Sequence, residues 1–487
     1  MASSKMEAAG GGPKPGADGR WRQYLAVVLV NLLSFMGGTV WGWPAPLIPE
    51  LQSTDSPIDI RPVTDDEASW LSSVVSLSRL VTLPAYVYMN DKFGRKFTSH
   101  MIALPFVVGW SMMLFADSVN LLYWGRLVIG VAAGGAAILV PAYTGDIAED
   151  CNKGRLGVGF GLTMNLGITF SYAVGFYASY LAFHLVLVLL PLVFVAGFRW
   201  LPESPMFLLT AGKPDEARAA LQWFRGGRDC GPELERMRQR AAEVLERRQN
   251  KVSLWATLDR PTLRGLLICL GVMTNQLLSG LSPVVAYTVT IFQAAGSSLP
   301  PNLCAILVGV VQTAGTVLSA LVIEWAGRRP LLICSNLVVA ACLFVLGTHF
   351  YLQGLGWDLT SLGWVPLLSL SCYIFTLGLA ITPLPFTLTT ETIGPHARGA
   401  AQSAVLMYLS VGMFGLVQTY TALARLVGQH GCFWLYAGAC LASGLCVYLF
   451  VPETKNRSLE DVVQQLGGDN YIRSVVRPAR SPEPAPK

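Results

Sequence analysis

A chain of 487 residues that is 53% hydrophobic and 13% charged, with a mean hydropathy of +0.48, lies outside the range of water-soluble domains, where about a quarter of residues carry charge. The net charge of +5 does not argue for nucleic acid, because the basic residues fall in short loops beside apolar stretches, where orientation in a membrane accounts for them. What remains is a polytopic membrane protein, and its ten cysteines, scattered without a CxxC pair, read as packing residues rather than metal ligands.

Residues 1–21 are polar and rich in Gly and Pro, with no cleavable signal sequence evident, and are expected to form a cytosolic tail. A helix needs about twenty mostly apolar residues to cross a bilayer. Six such stretches follow at approximately 22–46, 68–90, 98–117, 121–146, 156–180 and 183–201. A polar bridge over 202–261 interrupts them, with amphipathic helical spacing at 215–224 and 233–248. Six more stretches run at 262–293, 302–325, 330–352, 364–390, 400–424 and 432–451, before a tail over 453–487. The predicted fold is therefore all-α, with twelve transmembrane helices in two six-helix bundles (22–201 and 262–452) joined by a cytosolic helical bridge. Lys and Arg gather in alternate loops, whereas the first outer loop carries Asp55, Asp59, Asp65, Asp66 and Glu67 against Arg61, so both termini are placed in the cytosol of a cell-membrane protein. Thr64 to Glu67 has capping-box spacing and predicts a helix start there.

Motifs recur in order on either side of the bridge. Asp91-Lys-Phe-Gly-Arg-Lys96 answers Glu324-Trp-Ala-Gly-Arg-Arg329, Asp146 with Lys153 answers Glu391 with Arg398, and Pro202-Glu203-Ser204 answers Pro452-Glu453-Thr454. Three ordered matches imply an internal duplication. The acids Asp91, Asp146, Glu203, Glu324, Glu391 and Glu453 and the bases Arg95, Arg126, Lys153, Arg155, Arg328 and Arg398 read as a cytosolic latch, able to hold two bundles together in one state and release them in another. No enzyme constellation is visible, and nothing calls for a cofactor, a metal or an obligate protein partner. Arg79 stands alone in the middle of the second span, where a charge costs about 2.5–3.5 kcal/mol on insertion scales, and is a candidate counter-charge for an anionic solute.

The two Gly-Arg loops, Gly125-Arg126, Pro141-Ala-Tyr143, the PESP run at 202–205, Gln276 with Ser279-Gly280, Tyr287 to Phe292 and the PETK run at 452–455 resemble the sugar porter family of the major facilitator superfamily. Gly42-Trp43 with Pro46, and Ser69-Trp70, are most similar to its insect facilitated trehalose transporter-like branch. The resemblance implies alternating access around a central site, with Asn165, Gln276, Ser282, Tyr287, Gln312 and Phe386 at the solute-binding positions. It also implies departures. Leu277 replaces an amide, Phe386 replaces a Trp, and Leu409, Ser410 and Met413 stand where Asn and Trp are common, so Thr163, Thr169 or Thr316 would have to supply hydroxyls in compensation. Proton-coupled relatives carry a carboxylate in the first helix, and this chain has none between Trp21 and Pro49. The expectation is facilitated diffusion of a small solute, trehalose or a hexose first. Another small organic solute, including an anionic one, or a non-transporting sensor with the same fold are the alternatives.

Overall fold

The computed structural model describes residues 17–467 apart from 55, 59, 150–151, 229, 250–258 and 395–396. The outer-loop acids Asp55 and Asp59, the extreme N-terminal tail, the end of the bridge and the tail after residue 467 lie outside the described residues.

Every described element is helical. The first crossing is α1 (Ala17–Gly42) continued by α2 (Pro44–Leu51), jointed at Trp43, where three prolines in eight residues deprive the backbone of amide donors. Then come α3 (Asp65–Phe93), α4 (Arg95–Leu114), α5 (Val119–Ile147), α6 (Lys153–Tyr177) and α7 (Tyr180–Phe198). The start of α3 is set as its sequence predicts, with the Thr64 N–H donating to the Glu67 carboxylate at 2.9 Å and the Glu67 N–H donating to Thr64 Oγ1 at 3.3 Å.

The bridge holds α8 (Pro205–Thr210), α9 (Pro214–Phe224) and α10 (Gly231–Gln249), close to the two amphipathic stretches expected there. Leu208, Leu209, Leu221 and Leu234 give it a small core of its own. Arg225 fastens that core to the first half: it donates to the Ile147 carbonyl at 2.9 Å and pairs with Glu233 at 2.6 Å and Glu149 at 3.7 Å. Burial works against the Arg225 charge, but the Glu233 hydrogen bond and the two nearby carboxylates outweigh it and move its pKa upward.

The second half comprises α11 (Arg260–Leu278), α12 (Leu281–Ala295), α13 (Pro301–Ala326), α14 (Arg328–Gly354), α15 (Val365–Thr376), α16 (Leu384–Thr392) and the long α17 (Arg398–Phe450), followed by a short α18 (Leu459–Gly467). Among the described residues ten stretches are long and apolar enough to span a membrane. Two more crossings complete the twelve: α17 bends at Gly428, whose φ of 73° lies in the left-handed region, and so crosses twice, and α6 crosses although it is too polar to count among the ten. A π-helical turn over Leu377–Ile381 separates α15 from α16, and such turns recur at functional sites.

Within the first half α1 packs on α6, and α3 and α4 pack on α5. Within the second half α14 packs on α17, and α13 on α15. Across the halves α3 meets α17, α6 meets α13, and α2 meets α12. The two ends of the molecule are hereafter the bridge end, which carries α8 to α10, and the far end, which carries the Thr64 cap.

Candidate solute path and gates

Helix α6 is the natural starting point, because its polarity is what sets it apart from the other spans. Asn165, midway along it, donates from Nδ2 to Thr316 Oγ1 of α13 at 2.7 Å, across the two halves. One turn toward the far end, the Thr169 and Thr313 hydroxyls are 3.5 Å apart. On the other side of Asn165, Thr163 donates to Asn31 Oδ1 of α1 at 3.3 Å. Gly378 of the π-helical turn lies against the Gln312 carbonyl and Thr316, where an added Cβ would meet them at 3.0 and 3.2 Å. Asn165, Thr316 and the Gln312 turn thus form one mid-depth patch backed by irregular backbone, and Thr163 and Thr169 extend it with hydroxyls.

The other predicted binding residues scatter around this patch. Gln276 is 8% exposed, and its side-chain oxygen is buried without a partner, as are both polar atoms of neighbouring Asn275. Such orphaned groups are costly unless something else completes them. Ser282 is half-buried in the first turn of α12. Phe386 packs with Met413 against an apolar cluster of α11 and α17 that includes Met273, Leu277 and Leu409. Tyr287 is not in the patch: it sits at a kink in α12, stacks on Tyr420 with centroids 5.2 Å apart, and points its hydroxyl at Ser69 Oγ, 3.5 Å away.

That stack belongs to a closure at the far end. Ser69 and Thr421 hydroxyls meet at 2.7 Å, Ser73 donates to Gln418 Oε1 at 2.7 Å, and Tyr172 donates to the Val285 carbonyl at 2.8 Å. Arg425 of α17 pairs with Asp65 at 2.7 Å and Asp66 at 3.4 Å, at the opening turn of α3. The hydrogen bonds and ion pairs named so far that join the two halves lie at this end or at mid-depth. Of these residues Tyr172, Gln418, Thr421 and Arg425 carry no motif in the sequence, although Arg425, a base at the far end of its span, is a signal against the general placement of charge.

At the bridge end the recurring acids and bases pair inside each half, in matched fashion. Arg95 Nε donates to Asp146 at 2.9 Å, Ser204 Oγ donates to the same carboxylate oxygen at 2.6 Å, and Glu203 accepts from the Arg95 and Lys96 backbone amides at 3.0 Å each. In the second half Arg328 donates to Glu391 at 2.6 Å, Thr454 donates to Glu391 at 2.6 Å, and Glu453 accepts from the Arg328 and Arg329 amides at 3.1 Å each. Gly94 and Gly327 open these loops at φ 91° and 86°, a backbone that side-chain-bearing residues rarely adopt. A Cβ on Gly94 would also fall 2.5 Å from Glu203 Oε2, and this explains why glycine precedes the arginine in both motifs. Lys153, Arg155 and Glu324 are exposed at this end, Asp91 lies in the last turn of α3, and Arg398 donates to the Thr390 carbonyl of its own half at 2.9 Å.

Arg126 does not belong to the cytosolic latch that its sequence suggests. It lies two turns in from the far end of α5, fully buried, and donates to the Leu71 and Val40 carbonyls at 2.9 Å each with its guanidinium 5.0 Å from the Trp43 ring centroid. Trp43 in turn donates to His184 Nε2 at 3.0 Å. The proximity of Arg126 to a loop in sequence suggested a rim residue, but the side chain holds the α1–α2 joint.

Two bundles of six crossings, joined by polar contacts at one end and around a polar patch at mid-depth, have the architecture of a membrane transporter. The sequence matches the family described as "Sugar (and other) transporter" over residues 26–466. It is 33% identical to the facilitated trehalose transporter Tret1 of Polypedilum vanderplanki over 92% of this chain and 88% of that one. It is 32% identical to the protein of the same name from Culex quinquefasciatus over 93% and 88%. The fold superposes on the inward open conformation of the xylose transporter XylE from E. coli with a TM-score of 0.72 at 20% identity, covering 90% of this chain and 99% of that one. The chain belongs to the sugar transporter family and has the major facilitator fold.

Proposed function

We propose that this chain carries a sugar, trehalose or a hexose, across a cell membrane by facilitated diffusion, with the bridge and both termini in the cytosol. The two bundles, 22–201 and 262–452, rock about the mid-depth patch. The observation that carries this reading is the asymmetry of the contacts between halves. Hydroxyl, amide and ion-pair contacts join the halves at the far end and the midpoint, as befits one of the two states of an alternating-access cycle. In the opposite state the bridge-end clusters would face each other and the exposed Lys153, Arg155 and Glu324 would come between the halves. Asn165, Gln276, Gln312 and Ser282 would hydrogen-bond the solute, with Phe386 offering an apolar face and Tyr287 closing over it from the far end. The trehalose transporters this chain resembles supply the first candidate solute.

Uptake of labelled trehalose and glucose into vesicles containing the purified protein tests the reading. Saturable uptake is expected, lowered about tenfold or more by Gln276→Ala or Asn165→Ala, the size of one lost hydrogen bond to a solute hydroxyl. Folded protein giving no more uptake than empty vesicles would remove the sugar assignment.

A further inference from the structure

Arg79 is the side chain to which the sugar-carrier reading gives no task. It lies midway along α3, is 6% exposed, and has its Nε sealed in the protein without a partner. Among the described residues no carboxylate pairs with it and no carbonyl receives its hydrogen bonds. The contrast with Arg126 is direct, because that equally buried arginine is met by two carbonyls and a Trp face. An uncompensated charge at mid-bilayer is costly and marks a functional position by default.

The helix itself tells which way Arg79 faces. At about 100° per residue, Trp70, Leu77, Val81 and Tyr88 fall on one stripe, and all four are exposed to the membrane. Arg79 lies diametrically opposite, on the interior face of α3. Ser76 Oγ and Asn90 Oδ1 share that face and are likewise buried without partners. On one flank Ser78 and Thr82 lie against Gly130 and Gly134 of α5; on the other, Ser69 and Ser73 meet α17. A Cβ on Gly134 would stand 3.3 Å from Arg79 Cγ, so this glycine makes room for the arginine stem. Arg79 thus stands on the interior face of α3, between the flank that packs on α5 and the flank that meets the second half at α17.

We propose that Arg79 is an anion-recognition residue in the solute path and that the solute it serves is a monosaccharide bearing one carboxylate, a sugar acid. The proposal rests on the carrier reading and narrows its substrate class. A guanidinium presents a planar fork of donors that matches a carboxylate, whereas the hydroxyls of a sugar acid are those of a neutral sugar and find the same amides and hydroxyls of the mid-depth patch. Replacement of family amides by Leu277 and Met413 weakens recognition of hydroxyls, and one charged contact offsets that loss. The anion also supplies the charge that Arg79 lacks.

The test uses the full chain in vesicles with labelled D-glucose and D-glucuronate as probes. In the wild type, unlabelled glucuronate should inhibit glucose uptake at a concentration at least tenfold lower than its neutral methyl ester does, since the two differ in charge and by one methyl group. Glucuronate entry should rise when a potassium diffusion potential makes the vesicle interior positive, because each turnover carries one negative charge. Arg79→Gln should lower glucuronate uptake at least tenfold and glucose uptake less than threefold, and Arg79→Lys should recover part of the glucuronate rate. Inhibition by the ester at equal or lower concentration overturns the proposal, and needs no variant to fold. An equal fall of both fluxes in Arg79→Gln also overturns it and makes the arginine structural. Saturable glucose uptake that glucuronate does not inhibit removes this proposal alone, whereas no flux of either probe through folded protein removes the sugar-carrier reading with it.

Discussion

The two ends of the molecule are held by different kinds of contact. At the far end the halves touch through hydroxyls, one amide, a stacked tyrosine pair and an ion pair whose side chains are more than half exposed. Each is a weak joint: a neutral hydrogen bond is worth about 0.5–1.5 kcal/mol net, and exposed ion pairs are worth little. At the bridge end the charges are better shielded, with Arg95 and Asp146 side chains 13% and 16% exposed, but they are spent inside each half. Strong contacts build the moving bodies and weak ones join them, which is what a carrier that must separate and rejoin its halves requires.

The largest test of this contrast locks the weak end. Ser69→Cys with Thr421→Cys places two sulfurs where hydroxyls are 2.7 Å apart, close to the reach of a disulfide of about 2.0 Å. Oxidation should abolish uptake and reduction should restore it, while the same oxidant leaves the parent chain and its own cysteines active. Undiminished uptake by the cross-linked protein would mean that the far end does not part during transport.

Next in size are the strong ends. Arg95→Ala and Arg328→Ala each strand a shielded carboxylate and should cost about 2–3 kcal/mol of stability, somewhat less than a fully buried pair because Asp146 and Glu391 keep some water. The two losses should be alike, since the networks are duplicates. Labelling of a cysteine at position 69 should be unaffected if the networks act within one half. A rise in labelling in either variant would instead make that network part of the coupling between ends.

The order of segments was legible because bilayer thickness and hydrogen bonding leave few options, and the spans argued from hydropathy needed only small shifts to meet the helices. The seventh span begins at Arg260 because Asp259 caps it, accepting from the Thr262 N–H at 3.0 Å, and α7 begins early because Ser179 accepts from Ala182. The duplicated loops were legible too, because an acid, a glycine and an arginine at fixed spacing serve one geometry twice. Which acid meets which base was not, since that depends on how helices distant in sequence pack. Arg126 was misplaced for this reason. The π-helical turn after Thr376 leaves no periodic trace in an unbroken apolar run, and the meeting of Asn165 with Thr316 joins positions 151 apart.

A smaller effect is expected at the ion pair on the far end. Arg425→Ala removes the contacts to Asp65 and Asp66, both in water, so it should raise far-end cysteine labelling by less than about threefold at low salt. That increment should vanish near 1 M salt, where the screening length falls to about 3 Å. If it persists at high salt, Arg425 acts through packing of its stem against α3 rather than through charge, and the far end is less purely weak and polar than the contacts imply.

The smallest effect concerns pH at the same end. The hydrogen bond from Arg61, with help from Thr64 at the start of α3, holds the Glu67 carboxyl below its usual pKa, against a partial opposing push from burial. A carboxylate with a depressed folded pKa contributes stability that is fully present above its unfolded value of about 4.3 and is lost as pH falls through the folded value. Glu67→Gln should therefore lower the melting temperature slightly at pH 7 and by progressively less as the medium is acidified below pH 4, where the wild type loses the same contact. A difference between the two proteins that stayed constant from pH 7 to pH 3 would assign the effect to the shape of the capping box rather than to its charge, because a glutamine can still accept from the Thr64 amide but cannot pair with Arg61.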